Sequence, residues 1–273
     1  KRLYEPGPHD EELLWFCGPD VLKNNSIDKI ERISKGFEIG GYYTFRKGDY
    51  FGMIKCGNHK NRSSPADMLH FDLWYKGINI LCDIGSYSYN PEQKFKGYFG
   101  ATANHNTLTI NNKNQTKRGP RFLTIDWPNG YLKKFGVLGD RMLFAGYHDA
   151  YDNIHTREIE FKRGFIIVTD TVRNTEQENI KIRLNWNIGT DIEQMDENKF
   201  RLNTGGKSLV LELVSKTKGD SKLYFGDNDM PAGWRSLYYG EMLPMKQLVY
   251  EVFSSENSEK IVTRIYTKQH QEY

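Results

Sequence analysis

Little in this sequence supports a disulfide scaffold, a zinc finger or a membrane protein. Only three cysteines, Cys17, Cys56 and Cys82, occur in 273 residues. That is too few for a disulfide framework, and no CxxC pair suggests a zinc finger. At most one bridge can form, so cysteine usage leaves the compartment open. Long hydrophobic runs are missing as well: stretches such as Phe165-Ile166-Ile167-Val168 are far too short to span a bilayer. Nor does charge of one sign dominate, since 38 Lys and Arg face 35 Asp and Glu, a formal net charge of +3. A nucleic-acid grip needs concentrated basic surface, so neither a nucleic-acid partner nor a membrane span is expected. There is no fixed-period repeat and no low-complexity tract. The chain opens on Lys1 without a signal-like stretch, which reads as a processed product or a piece of something longer.

What is abundant is aromatic residues and glycine: 17 Tyr, 15 Phe, 5 Trp and 25 Gly. This favours an all-β protein with many turns over a helical bundle. Only about the first thirty residues read as helical. Glu11 to Phe16 follow Pro8-His9-Asp10 with acids in the first turn, and Gly18-Pro19 stops the run. Beyond that, strands are expected near Phe37–Phe45, Tyr50–Lys55, Met68–Tyr75, Asn79–Asp83, Asn106–Asn111, Tyr131–Val137 and Arg141–His148. Further strands are expected near Thr156–Arg163, Phe165–Arg173, Lys181–Ile188, Lys199–Leu202, Ser208–Ser215, Lys222–Phe225, Lys246–Phe253 and Lys260–Tyr266. Arg163-Gly164, Lys76-Gly77 and Thr204-Gly205-Gly206 read as hairpin loops. The expected fold is one large antiparallel β-sandwich with a short N-terminal helical segment, the sandwich occupying residues 31–273.

Residues 63–107 carry the most chemistry. Read as a strand, Asp67–Tyr75 puts Leu69, Phe71, Leu73 and Tyr75 on one face and Met68, His70, Asp72 and Trp74 on the other. A two-residue turn at Lys76-Gly77 pairs Tyr75 with Ile78, Trp74 with Asn79, Asp72 with Leu81 and His70 with Asp83. A His opposite an Asp is an ion pair, an oriented imidazole or two ligands of a metal, and also fits an inconsequential surface pair. Tyr87 and Tyr89 lie two residues apart, with Tyr98-Phe99 and Asn104-His105-Asn106 close behind. Aromatic faces beside Asn, His and Asp suit a sugar site, rings against pyranose C–H groups and amides and carboxylates for hydroxyls. Ordinary sandwich packing is the competing role for Tyr87 and Tyr89. Tyr147-His148-Asp149-Ala150-Tyr151 forms a second polar-aromatic cluster.

Ala66-Asp67-Met68-Leu69-His70-Phe71-Asp72-Leu73-Trp74, then Asp83 to Asn90, then Ala103-Asn104-His105-Asn106-Thr107, resembles the heparinase II/III-like polysaccharide lyases. The later Tyr147 to Tyr151 block, with Arg157 and Ile167-Val168-Thr169-Asp170, is similar to the next block of that family. The resemblance implies an N-terminal (α/α) toroid followed by the sandwich, with the cleft between them. Residues 1–30 would then be a helical remnant or linker from the missing toroid. It also implies β-elimination on a uronate-containing polysaccharide. That reaction needs neutralisation of the carboxylate, a base for the C5 proton and an acid for the leaving O4.

One departure stands out: where the family carries H-x-H-A-D, this chain reads Ser63-Ser64-Pro65-Ala66-Asp67. The usual His base and one usual metal ligand are thus replaced by residues that can do neither job. Asp83 and His105 match the remaining ligand positions of the family, and His70 offers a substitute third ligand for zinc. The expected proton-transfer groups are His70, Tyr98 and Tyr89, and the expected sugar contacts are Asp72, Trp74, Tyr87, Asn106 and His148. The expected partners are a polysaccharide or oligosaccharide and the helical domain of the same protein. A non-catalytic glycan-binding or assembly module of bacterial surface-polysaccharide synthesis is the alternative, and the bacterial periplasm or cell envelope the expected location.

Overall fold

Alternation of apolar and polar residues decides most of this chain. In Arg141–His148 and Phe165–Arg173 every second side chain is buried, the signature of strands with one face on a core. The computed structural model describes residues 6–7, 10–23, 32–58, 64–119, 123–162, 164–175, 178–206 and 208–267. It divides into two units, residues 1–33 and 34–273. The first holds helix α1 (Asp10–Cys17), with Asp10, Glu11 and Glu12 in its first turn and none of its side chains buried. Gly18 ends it in the left-handed conformation, its N–H bonded to the Leu14 carbonyl at 2.9 Å.

The second unit is built from antiparallel strands. In chain order these are β1 (Lys35–Phe37), β2 (Tyr42–Lys47), β3 (Tyr50–Lys55), β4 (Phe71–Tyr75), β5 (Ile78–Leu81) and β6 (Leu108–Ile110). Next come β7 (Gly130–Leu138), β8 (Arg141–His148), β9 (Ile154–Lys162), β10 (Phe165–Arg173) and β11 (Ile180–Ile188). Then follow β12 (Asp191–Asp196), β13 (Lys199–Asn203), β14 (Leu209–Ser215), β15 (Gly219–Phe225), β16 (Trp234–Arg235), β17 (Leu243–Pro244), β18 (Lys246–Ser254) and β19 (Ser258–Thr267). One sheet runs β1-β2-β3-β4-β5-β11-β18-β15 with β6 beside β11; the other runs β12-β13-β14-β19-β10-β9-β8-β7. Their inner faces interlock: Phe45 of β2 stacks on Phe161 of β9 at 5.0 Å, and the Trp186 indole of β11 donates to Thr263 of β19 at 3.1 Å.

Two β-bulges set the site apart from the expected register. Strand β4 begins at Phe71, not near Met68, because Leu69 adopts a positive φ of 60°. Lys55 receives the Leu69 N–H at 2.8 Å and donates to the His70 carbonyl at 3.1 Å, so two residues oppose one. The first bulge position normally favours glycine; a leucine is held there because its side chain is fully buried in the core. The bulge turns His70 inward. A second register shift leaves Tyr75↔Ile78 and Trp74↔Asn79 as expected but pairs Leu73, not Asp72, with Leu81. Ile80 is the extra residue, which is why Ile80 and Leu81 are consecutive and both buried.

Candidate functional site

The inward turn of His70 meets two loops. Asp83 follows β5, and His105 closes a run of short 3-10 turns, Gln93–Phe95, Tyr98–Gly100 and Thr102–Asn104. One ligand atom from each of His70, Asp83 and His105 lies within 4.8 Å of the others. The His105 Nδ1 is 2.9 Å from the Asp83 Oδ1, and its Nε2 is 3.2 Å from the Phe99 carbonyl. Since a carbonyl only accepts, Nε2 carries a proton and Nδ1 faces the carboxylate. Burial alone would raise Asp83, but the facing His105 holds it well below the usual carboxylate range.

Asp83 and His105, with His70 beside them, are the side chains here that could hold a divalent cation. The 2.9 Å separation is that of a direct hydrogen bond, and tetrahedral zinc bonds of about 2.0–2.1 Å would need the two atoms to part to about 3.3 Å. The Nε2–H to carbonyl bond is the outer contact that ligating histidines usually make. His70 fits less well as a direct ligand. Its Nδ1 accepts the Asn106 N–H at 3.0 Å, so the proton of the neutral ring sits on Nε2. That Nε2 is buried without a partner. Burial drops His70 to about 4, keeping the ring neutral.

A buried polar scaffold aims these side chains. The Asn106 amide donates to the Phe71 and Cys82 carbonyls at 3.0 and 3.1 Å and accepts the Asn187 N–H at 2.7 Å, tying the ends of β4 and β5 to β11. Arg157, fully buried in β9, binds both Asp170 oxygens at 2.7 and 3.0 Å. Its Nη1 reaches the Leu69 and Asn106 carbonyls, each at 2.6 Å, on either side of His70. Behind it runs a directed chain: the Ala150 N–H donates to His148 Nδ1, His148 Nε2 to His155 Nδ1, and His155 Nε2 to Asp170, at 3.2, 3.1 and 2.7 Å. In this direction both imidazoles are neutral. Burial lowers both His148 and His155, while Asp170, which burial would raise, is held down by Arg157.

The pH consequence has a definite sign. The unfolded chain takes up protons on His148 and His155 below about pH 6.5, where the folded state does not. Their contribution is complete above that pH and is lost on acidification, each by up to about 1.4 kcal/mol per pH unit. The raised His105 acts only above that window. Urea midpoints measured from pH 8 downwards should therefore rise slightly as His105 takes up its proton and then fall below about pH 6.5, and a midpoint that does not fall between there and pH 5 would refute the neutral pair.

The remaining expected site residues separate into two groups. Asp72 accepts the Trp74 indole N–H at 2.6 Å and the Asn79 amide at 2.9 Å, so this trio shares the outer face of β4 and β5. Tyr87 is half-buried, 5.6 Å from Phe99, and Tyr89 is exposed, 5.6 Å from Tyr239. Asn106 and His148, in contrast, are fully buried, with their polar atoms engaged. The structure places them in the scaffold, not on a sugar-facing surface. Tyr98 is likewise in a small second core with Phe95, its hydroxyl accepting the Trp234 N–H at 3.1 Å and burial pushing it to about 12. Pro65 is at the surface of the 64–70 turn, and Ser63 lies outside the described residues. No role was expected for Gln115, His155, Asn185, Asn187 or Gln247; the signal available was Asn185-Trp186-Asn187, two amides continuing the polar face that Lys181 and Arg183 begin, with a tryptophan between them.

The profile described as Heparinase II/III-like, C-terminal, matches residues 29–264. The chain belongs to that family. It is similar to a heparin-sulfate lyase of Bacteroides stercoris, 27% identical over 161 residues, covering 56% of this chain and 23% of the relative. A heparin-sulfate lyase of Pedobacter heparinus is 24% identical over 196 residues, covering 67% of this chain and 28% of that protein. Among solved structures, a heparinase III superposes with a TM-score of 0.73 at 21% identity, covering 90% of this chain and 37% of the other. At that identity the superposition shows the fold, an antiparallel sandwich shared with heparinase III. The chain spans about a quarter of the length of the curated relatives it matches.

Proposed function

We propose that this heparinase II/III-like sandwich is part of a lyase that cleaves a uronate-containing polysaccharide by β-elimination. The observation that supports it most is the Asp83–His105 pair, held by buried scaffolding near an outer face that carries Asp72, Trp74 and Asn79. Such scaffolding costs desolvation and is retained where side-chain position matters. Both curated relatives are named heparin-sulfate lyases, which supports the same reaction class. A cation on Asp83 and His105, zinc being the candidate, would add positive charge near the substrate acid. His70 and Asn106 then orient the site, Trp74 offers a ring face to a pyranose, and the exposed Tyr89 is a phenol proposed for proton transfer. His70 itself, its Nε2 buried, contributes through position. The helical domain implied by the family would supply the other wall of the cleft, so residues 1–273 alone should show no appreciable turnover. Mass spectrometry of a digest made by the full-length protein tests the reaction. Elimination yields ends lighter by one water than hydrolysis, and a digest of hydrolytic mass would reject it.

A further inference from the structure

We propose that Arg118 is the carboxylate-binding group of an acidic-sugar subsite, in the groove next to the Asp83–His105 pair; this rests on the polysaccharide reading above. The groove, of about 980 Å³, is lined by Lys113, Lys117, Arg118 and Trp127, with Asp126 and Asp149 opposing three cations with two carboxylates. Asp149 is already occupied by Asn129 and Tyr131. The groove and the pair share one segment, because Gly100 lines the groove and the preceding Phe99 carbonyl anchors His105.

Arg118 is exposed yet held in place. Its Nη2 donates to the Ser64 carbonyl at 2.6 Å, within the turn where the family carries its two histidines. Its guanidinium packs against Gly100, where an added Cβ would sit 2.2 Å from Nη1 and 2.6 Å from Cζ. Gly100 has an ordinary backbone, so the space its missing side chain leaves is used by the guanidinium and not by a turn. Asp67, the carboxylate that acts on Arg118, is itself paired with Lys55. A guanidinium pinned through one donor keeps others for a bidentate carboxylate, which is the group a uronate presents.

The test measures binding, not turnover. Affinity of the full-length protein is determined by calorimetry for an unsulfated glucuronate oligosaccharide and for the same oligosaccharide with its carboxyls reduced to alcohols. Arg118→Ala should weaken the acidic ligand by roughly 10–100-fold and leave the neutral one unchanged. Arg118→Lys should recover only part of the loss, and Gly100→Val, which evicts the guanidinium without altering charge, should resemble Arg118→Ala. Should Gly100→Val not fold, as judged by thermal melting, the two Arg118 variants still decide. Unchanged affinity of Arg118→Ala for the acidic ligand, or an equal loss for both ligands, would overturn the proposal. A protein that binds through Arg118 but forms no elimination product keeps this inference and removes the lyase reading.

Discussion

Replacing Arg157 with leucine is expected to destabilise the sandwich by about 3–5 kcal/mol, the usual cost of breaking a buried ion pair from one side. The substitution leaves the Asp170 carboxylate charged and buried and strips the Leu69 and Asn106 carbonyls of a donor. It also removes a cation lying 5.0 Å over the Trp186 ring. The strained Leu69 backbone depends on that carbonyl contact, so the loss should extend to the position of His70. Adding Asp170→Asn should restore part of the stability, because the orphaned charge is then gone. Equilibrium urea unfolding of the two variants checks this. A loss under 1 kcal/mol for Arg157→Leu would show that the network is not what holds the bulge.

His105→Ala is expected to have the second large effect, loss of a bound divalent ion. Protein purified without added metal should contain close to one equivalent by elemental analysis, and His105→Ala or Asp83→Ala should reduce it to background. His70→Ala should behave differently. With its proton on Nε2, His70 is a neighbour of the ion and not a ligand, and losing it should weaken binding by no more than about 10–100-fold. Sub-stoichiometric metal that does not respond to His105→Ala rejects the site. Equal loss in all three variants would instead make His70 a third ligand.

The sandwich was legible because its information is local. Alternation placed β8 and β10 to the residue, and Lys76-Gly77 is the turn it resembles. The site was legible as a set of residues but not as a geometry. Two bulges shifted it, and neither has a local signal: the positive φ that usually marks such a position falls on Leu69, and Ile80 is as good a strand residue as its neighbours. The opposition expected between His70 and Asp83 comes instead from a bulge and two loops, with His105 as the nearer partner of Asp83. The 3-10 run across 93–104 was missed, since short turns of that kind carry no periodic pattern. Asn106 and His148 were misplaced for a different reason. A buried polar group and a ligand-facing one have the same sequence, and only the hydrogen-bond partners separate them.

The most direct measurement is a time course of new ultraviolet absorbance from a C4–C5 unsaturated uronate, made by the full-length protein on a panel of uronate polymers. Binding to each polymer is followed in parallel. Growth of that absorbance with at least one polymer, abolished in His105→Ala, is the predicted result. Measurable binding with no absorbance from any of them would contradict a lyase.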